Sequence, residues 1–111
     1  MRTLNFLLLV LLVNLTAGAQ GKLPDLKNSE DLKLLGVGRI IEKDNSIIKN
    51  ISLREIKEFW IIYLKDESLH DMLMEEIVCI EFHDTRWGDL KIKFPENKPE
   101  IIMWYYKQEM K

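Results

Sequence analysis

The segment Phe59-Trp60-Ile61-Ile62-Tyr63-Leu64 gives the main indication of the fold class. Five of its six residues are aromatic or β-branched, the types that strands favour. The polar run Lys65-Asp66-Glu67-Ser68 follows at once and suits a turn. We therefore predict a strand over residues 59–64 that is buried on both faces, because consecutive apolar residues leave no polar face for solvent.

A helical interpretation of the same region remains open. Apolar residues there also follow the i, i+3, i+4 spacing of an amphipathic helix: Leu53, Ile56, Trp60, Tyr63 and Leu64. We prefer strands, since the apolar run at 59–64 would surround a helix on every side. The prediction is a mainly β fold, and the alternative is an α+β fold with a helix at 53–77.

The residues before this segment have the pattern of a β-hairpin. Apolar pairs at 40–41 and 47–48 flank the polar turn Asp44-Asn45-Ser46, and Ile51 and Leu53 then alternate with polar residues. Short apolar runs separated by turn residues are typical of antiparallel strands. This region also contains Asn50-Ile51-Ser52, which matches the N-glycosylation sequon.

A short helix is predicted ahead of the hairpin. Ser29 followed by Glu30 and Asp31 is a favourable N-cap with acidic residues in the first turn, and Gly36 offers a left-handed stop. We expect a helix over residues 30–35, so that a short helix precedes the sheet.

The residues after the central segment continue the strand pattern. Met74-Glu75-Glu76 predicts a turn, residues 90–94 alternate with period two, and residues 101–106 form an apolar last strand. About six strands result. The predicted core residues on these strands are Trp60, Ile62, Val78, Ile80 and Phe82.

Residues 39–82 resemble the small barrels of Sm-like and SH3-like domains. Arg39-Ile40-Ile41-Glu42-Lys43-Asp44-Asn45-Ser46 resembles their first hairpin, and residues 68–82 are similar to their last strands and the turn between them. The resemblance implies a small, strongly bent antiparallel sheet or barrel. The chain departs from the Sm pattern at Glu55-Ile56-Lys57-Glu58, which lacks the Asp and Asn used for RNA contacts, so the resemblance concerns shape and not RNA binding.

The first 19 residues have the pattern of a secretory signal peptide. Arg2 precedes an apolar run over residues 4–13, and Ala17-Gly18-Ala19 supplies the small residues of a cleavage site. The run is about half the ~20 residues that a membrane-spanning helix needs. We expect cleavage after Ala19, no stable membrane span afterwards, and a secreted or periplasmic protein. Residues 20–29 are predicted to be a flexible leader and residues 30–111 one small domain.

Composition excludes several classes of protein. The chain has 111 residues, 16 Lys and Arg against 18 Asp and Glu, a net charge of −2 and one Cys. These values argue against a multidomain enzyme, a disulfide scaffold and a nucleic-acid-binding protein. Cys79 lies between Val78 and Ile80 and is interpreted as a small buried hydrophobic residue.

No catalytic or metal-binding motif is present in the sequence. His70-Asp71 and His83-Asp84 contain suitable side chains, but adjacent strand residues point to opposite faces and the spacing matches no known metal site. We therefore assign no catalytic residue, metal or cofactor and expect a non-enzymatic domain. The alternative is a small metal-dependent or hydrolase-like exported enzyme that uses His70 and His83.

Aromatic residues near the end of the chain are the candidate binding residues. Trp87 lies in a predicted turn, and Trp104, Tyr105 and Tyr106 lie in the last strand. Aromatic side chains at such positions can contact a partner. The sequence thus predicts an interaction module whose partner is a protein or a component of the cell envelope, with binding more dependent on these aromatics than on either histidine.

Overall fold

The computed structural model describes residues 23–106, which form one short helix and seven strands. The helix is α1 (Ser29–Leu34), and the strands are β1 (Val37–Glu42), β2 (Ile47–Ile56), β3 (Trp60–Lys65), β4 (Ser68–Leu73), β5 (Ile77–Thr85), β6 (Gly88–Lys93) and β7 (Glu100–Tyr106). Single turns of 3₁₀ helix occupy Met74–Glu76 and Pro95–Asn97. The predicted signal peptide, residues 1–19, and the first residues of the predicted leader lie outside the described residues.

The strands form one antiparallel sheet in the order β4-β3-β2-β1-β5-β6-β7. The predicted mainly β fold with a preceding short helix is confirmed. The alternative helix at 53–77 is wrong, because β2, β3 and β4 occupy most of that range. Seven strands are present where the sequence suggested about six.

Local turn chemistry explains why the hairpins form. Asp66 and Glu67 join β3 to β4 with φ values of +53° and +65°, and a two-residue turn of this kind matches the twist of paired strands. Between β1 and β2, Asn45 has φ +74° and the Asp44 carboxylate accepts a hydrogen bond from the Ser46 amide at 2.9 Å. Hydrogen bonds from the Ser46 hydroxyl and, to a smaller extent, from the Ser46 amide lower the pKa of Asp44.

The predicted helix is present, with its cap one residue earlier than expected. The N-cap is Asn28 rather than Ser29, and its side-chain oxygen accepts hydrogen bonds from the amides of Glu30 at 2.8 Å and Asp31 at 3.4 Å. Gly36 ends the helix with φ +79°, as predicted. The helix packs against β2.

The described part of the leader also contacts the domain. Pro24 is buried and Leu26 packs against the core. The Asp25 amide donates a hydrogen bond to the Asp31 carboxylate at 2.7 Å. These contacts join the chain before α1 to the helix and to the sheet beneath it.

One face of the sheet carries the hydrophobic core, and we call it the core face. Its fully buried strand residues are Ile40, Ile51, Leu53, Ile61, Ile80, Phe82, Leu90 and Ile92. Leu32 of α1, its C-cap residue Leu35 and Met74 also belong to this core. We call the opposite face the outer face.

The predicted core is correct at two positions and wrong at three. Ile80 and Phe82 are fully buried, whereas Trp60 is 38% exposed and Val78 is 42% exposed. Ile62 is half-buried. β3 is therefore buried on one face only: Ile61 and Tyr63 lie on the core face, and Trp60 and Ile62 lie on the outer face.

Val78 is exposed because of an irregularity in the pairing of β1 with β5. Ile41 pairs with Cys79 and Glu42 pairs with Ile77, so Val78 is an extra residue on β5. An extra residue of this kind is a β-bulge, which interrupts the alternation of faces. The alternation of faces that predicted Val78, Ile80 and Phe82 in the core therefore holds for Ile80 and Phe82, which follow the bulge, and fails at Val78.

A short crossing segment brings the chain from the sheet edge back to its centre. The Met74 amide donates to the Phe59 carbonyl at 2.9 Å, and the Lys43 amide donates to the Glu76 carbonyl at 3.0 Å. Residues 74–76 therefore connect the start of β3 with the end of β1, which places β5 beside β1. Within residues 23–106 no helix is long and apolar enough to span a membrane.

Candidate interaction surface

The outer face of β1, β5, β6 and β7 carries a row of facing side chains. Arg39 pairs with Glu81, Glu81 with Lys91, and Lys91 with Ile102. Both Nε and Nη2 of Arg39 lie 2.8 Å from Glu81 Oε1. This ion pair links β1 to β5, and the strand pairing places Lys91 between Glu81 of β5 and Ile102 of β7.

Trp104 stands out from this face as an exposed aromatic side chain. Leu90 pairs with Met103 and Asp89 pairs with Tyr105, so Trp104 is the extra residue of a bulge in β7. The residue is 44% exposed. A bulge re-aims the side chain that it carries, which explains why this ring projects at the sheet surface.

Two neighbours fix the Trp104 ring. Lys91 Nζ lies 5.4 Å from the ring centroid, within the range of a cation–π contact. The His83 ring meets the indole edge-on, with centroids 5.4 Å apart and an interplanar angle of 73°. His83 Nδ1 in turn lies 3.8 Å from Asp89 Oδ2. We call His83, Asp89, Lys91 and Trp104 the Trp104 cluster.

Asp89 anchors this cluster to the backbone. Its Oδ1 accepts a hydrogen bond from the Asp84 amide at 2.6 Å, while Oδ2 faces His83. One carboxylate thus connects the end of β5 to the side chain that supports Trp104. The arrangement can bind a partner through an exposed indole surrounded by polar groups.

Trp87 lies in a different setting. It is half-buried and packs against the core, with the Arg86 guanidinium 5.6 Å from its ring centroid. The buried Thr85 hydroxyl shapes this turn: it accepts from the amides of Trp87 at 3.0 Å and Gly88 at 3.1 Å and donates to the Gly88 carbonyl at 2.7 Å. Trp87 is therefore a turn residue that covers part of the core.

The other two predicted aromatics follow Trp104 on β7. Tyr105 pairs with Asp89 and Tyr106 pairs with Gly88. Their backbone thus extends the strand beyond the Trp104 cluster, along the end of β6. The structure brings three of the four predicted binding residues onto one strand and leaves Trp87 in the adjoining turn.

The two histidines lie on opposite faces of the sheet. His70 pairs with Tyr63 on the core face and stacks on its ring, with centroids 5.4 Å apart and an interplanar angle of 19°. His83 lies on the outer face beside Trp104. Within residues 23–106, no three His, Cys, Asp or Glu side chains are grouped in a way that could hold a metal ion.

Burial shifts the pKa of two titratable groups of the sheet, Tyr63 and Cys79. Burial raises the pKa of the Tyr63 hydroxyl, and the negative charges of Glu42 and Asp71 add to this effect. Cys79 is buried, as the sequence predicted, and burial together with the nearby Glu81 raises the pKa of its thiol. The thiol therefore stays protonated at neutral pH and is a poor nucleophile.

Sequence reasoning missed the groups that support Trp104. Neither Lys91 nor Asp89 is among the candidate binding residues that the sequence indicates. Period-two alternation does place residues 89, 91 and 93 on one face of β6. The missing information is the register of β7, because the bulge at Trp104 shifts which side chains face each other.

No protein-family model matches the chain, and neither a curated protein nor a solved structure matches it. The fold and this surface define a small, mainly β domain with an exposed aromatic cluster on one face of its sheet. The function must be inferred from the chain's own residues.

Proposed function

We propose that this protein is a small non-enzymatic interaction domain, exported from the cytoplasm, that binds a protein or a cell-envelope component through the Trp104 cluster. The observation that carries the proposal is the exposed Trp104 ring, which contacts Lys91 and His83 on the outer face of the sheet. The supporting groups come from two neighbouring strands, so the ring is oriented before any partner arrives.

The physical chemistry of interfaces favours this use of the ring. A tryptophan buries a large apolar area on binding and has only two side-chain torsions to immobilise. Contacts that already restrict the ring reduce the conformational entropy lost on association. The charges of Lys91 and Asp89 in the cluster, with the Arg39–Glu81 ion pair further across the same face, resemble the polar rim of a binding site around its apolar centre.

The remaining predicted aromatics extend this surface in different ways. Tyr105 and Tyr106 continue β7 beyond Trp104 and would lengthen the contact along the strand. Trp87 is half-buried against the core, so its replacement would disturb folding together with binding. Trp104 is the sharpest position at which to test the proposal.

Other features support the class of protein proposed. The signal-peptide pattern of residues 1–19 favours export, and the net charge of −2 gives no attraction to nucleic acid. β1 to β5 span the residues that resemble Sm-like and SH3-like barrels, and β5 returns to pair with β1. This resemblance concerns shape alone, so the proposed function rests on the residues on the surface of the sheet.

The test starts with the purified exported protein immobilised as bait for envelope and secreted proteins of its source. A captured component is identified, purified and titrated against the wild-type protein and variants. Trp104→Ala should weaken binding about 30-fold, which corresponds to the ~2 kcal/mol typical of an interface hot spot. Circular dichroism checks that the variant remains folded.

Trp60→Ala is the matched control, because Trp60 is similarly exposed on the outer face but lies at the far side of the sheet. Its binding should stay within twofold of wild type, as should that of His70→Ala. Equal losses for Trp60→Ala and Trp104→Ala would contradict the proposed site. Stoichiometric bound metal that disappears when His70 and His83 are both replaced would instead support the enzyme hypothesis.

A further inference from the structure

Among the described strands, the one at the edge farthest from Trp104 has no strand paired to its outer side. β4 (Ser68–Leu73) pairs only with β3, and its residues are exposed apart from the half-buried Met72. An edge strand presents alternate backbone N–H and C=O groups that can pair with another strand. Natural sheets therefore usually block such edges.

β4 lacks most of the usual blocking features. It contains no proline, lysine, arginine or glycine, and Asp71 is its one acidic residue. Its register with β3 is continuous from Trp60 opposite Leu73 to Lys65 opposite Ser68, whereas each of the other five strand pairs contains a register shift. The opposite edge, β7, is interrupted by the bulge at Trp104. β4 is thus the regular edge of the sheet, and its geometry suits the addition of a strand.

The outer face of β4 specifies the chemistry of the added strand. Leu69 and Leu73 are 64% and 43% exposed, and Asp71 lies between them on the same face. Within residues 23–106 no salt bridge joins Asp71 to a cation. The edge therefore presents an apolar, acidic, apolar pattern at every second residue.

We propose that β4 binds an extended segment of a partner protein as an additional antiparallel strand, and that this segment carries a basic residue with apolar residues two positions to either side. Side chains directly opposite each other in an antiparallel pair interact, so the basic residue would face Asp71 and the apolar residues would face Leu69 and Leu73. The site lies at the other end of the sheet from the Trp104 cluster and does not depend on it.

A second copy of this chain fits the edge less well. If two copies pair through antiparallel β4 strands, a twofold axis perpendicular to the sheet relates them. Residues that face each other across the pair must project from the same face, so the pairing is centred on a residue that lies opposite its own copy. Centring on Asp71 opposes the leucines but places two carboxylates together. Centring on His70 or Met72 places Asp71 opposite a leucine. A basic partner strand avoids both mismatches.

The probe is a short synthetic peptide in which Leu, Lys and Leu alternate with Thr. A matched peptide replaces Lys by Glu. Titration of the isotope-labelled protein, followed by NMR, should show the lysine peptide perturbing the amides of residues 68–73 and binding about fivefold more tightly than the glutamate peptide. Asp71→Asn should abolish this preference and Asp71→Lys should reverse it.

Peptides N-methylated on alternate amides test the backbone pairing. Methylation of one set should abolish binding and methylation of the other set should leave it unchanged, because only alternate amides face the neighbouring strand. Trp104→Ala should bind the lysine peptide like wild type, which separates this site from the proposed interaction surface. Equal binding of both charged peptides, perturbation away from β4, or protection of β4 amides by self-association without peptide would overturn the proposal.

Discussion

The ring of Phe82 lies directly against Gly38: a Cβ atom built on Gly38 would be 2.5 Å from Phe82 Cε1 and 2.7 Å from the Glu81 carbonyl oxygen. The two residues face each other across β5 and β1, and β1 is the central strand of the sheet. Because Gly38 has no side chain, the fully buried ring of Phe82 can cross the neighbouring strand at this position.

Gly38→Ala should therefore destabilise the protein by about 1–3 kcal/mol, because the added methyl group overpacks the core. Denaturant unfolding measures the change. Combining it with Phe82→Leu should cost less than the sum of the two single changes, since the smaller side chain leaves room. Gly36→Ala is the control, because a Cβ at Gly36 would meet no atom within 4 Å. The φ of +79° at Gly36 makes this substitution destabilising by itself, and its cost should simply add to the cost of Phe82→Leu in the double variant.

Substitutions at Ile80 and Val78 compare the buried part of β5 with its bulge. Ile80→Ala should lower the free energy of unfolding by about 2–5 kcal/mol, because a fully buried side chain leaves a cavity. Val78→Ala should cost under ~1 kcal/mol, because Val78 is 42% exposed in the bulge. Equal costs in urea unfolding would mean that the bulge does not turn Val78 out of the core.

The local elements of this fold could be predicted from the sequence, but the faces of two strands could not. Turn residues such as Asn45 and Gly36, and the alternation of Leu90 with Ile92, are local signals that the structure confirms. Which face of β3 is buried depends on what covers the sheet. Because α1 and residue Met74 cover the face of Ile61, Trp60 lies on the outer face despite its apolar side chain.

The candidate site was predictable only in part for a similar reason. An apolar last strand with Trp104 was identifiable from composition. The contacts of Trp104 with Lys91 and His83 depend on a bulge that adds one residue to β7. No residue in this part of the sequence predicts that bulge. Long-range register is decided by the packing of whole strands against each other, which a single sequence does not display.

Thr85 holds the turn that contains Trp87. Thr85→Val keeps the size of the side chain but leaves the amides of Trp87 and Gly88 without their hydroxyl acceptor, so it should cost about 1–3 kcal/mol. Thr85→Ser retains the hydroxyl and should lose under ~1 kcal/mol. Thermal unfolding compares the variants. A serine variant as unstable as the valine variant would show that the methyl group, and not the hydrogen bonds, maintains the turn.

Glu42 should make the protein less stable at neutral pH than at mildly acidic pH. Burial, Asp44 and Glu76 raise the pKa of the Glu42 carboxyl in the folded protein. The folded state thus binds the Glu42 proton more tightly than the unfolded chain does. Stability therefore increases as pH falls through the range between the pKa of Glu42 in the folded protein and its lower pKa in the unfolded chain. Stability decreases as pH rises through the same range.

Glu42→Gln should therefore raise the urea midpoint at pH 7, with the gain disappearing at a pH below the usual range of a glutamic acid. Glu67→Gln removes the same charge in the turn after β3 and serves as the control for net charge. A gain that persists in full at low pH, or one that Glu67→Gln reproduces, would show that the carboxyl cluster around Glu42 is not the cause.

Lys91 is expected to control the order of the Trp104 ring more than the stability of the fold. An exposed cation–π contact contributes about 0.5–1 kcal/mol, so Lys91→Gln should change the free energy of unfolding by no more than that. The same substitution frees one face of the ring, and a partner must then immobilise a more mobile side chain, at about 0.5–1.5 kcal/mol. Affinity for a partner that contacts Trp104 should thus fall by about 2–12-fold.

Fluorine NMR of 5-fluorotryptophan at position 104 reports the change in order directly. Lys93→Gln is the matched control, because Lys93 lies on the same face of β6 opposite Glu100, and it should leave the Trp104 signal unchanged. If both variants alter that signal equally, the ring responds to the net charge of the strand and the Lys91 contact does not orient it.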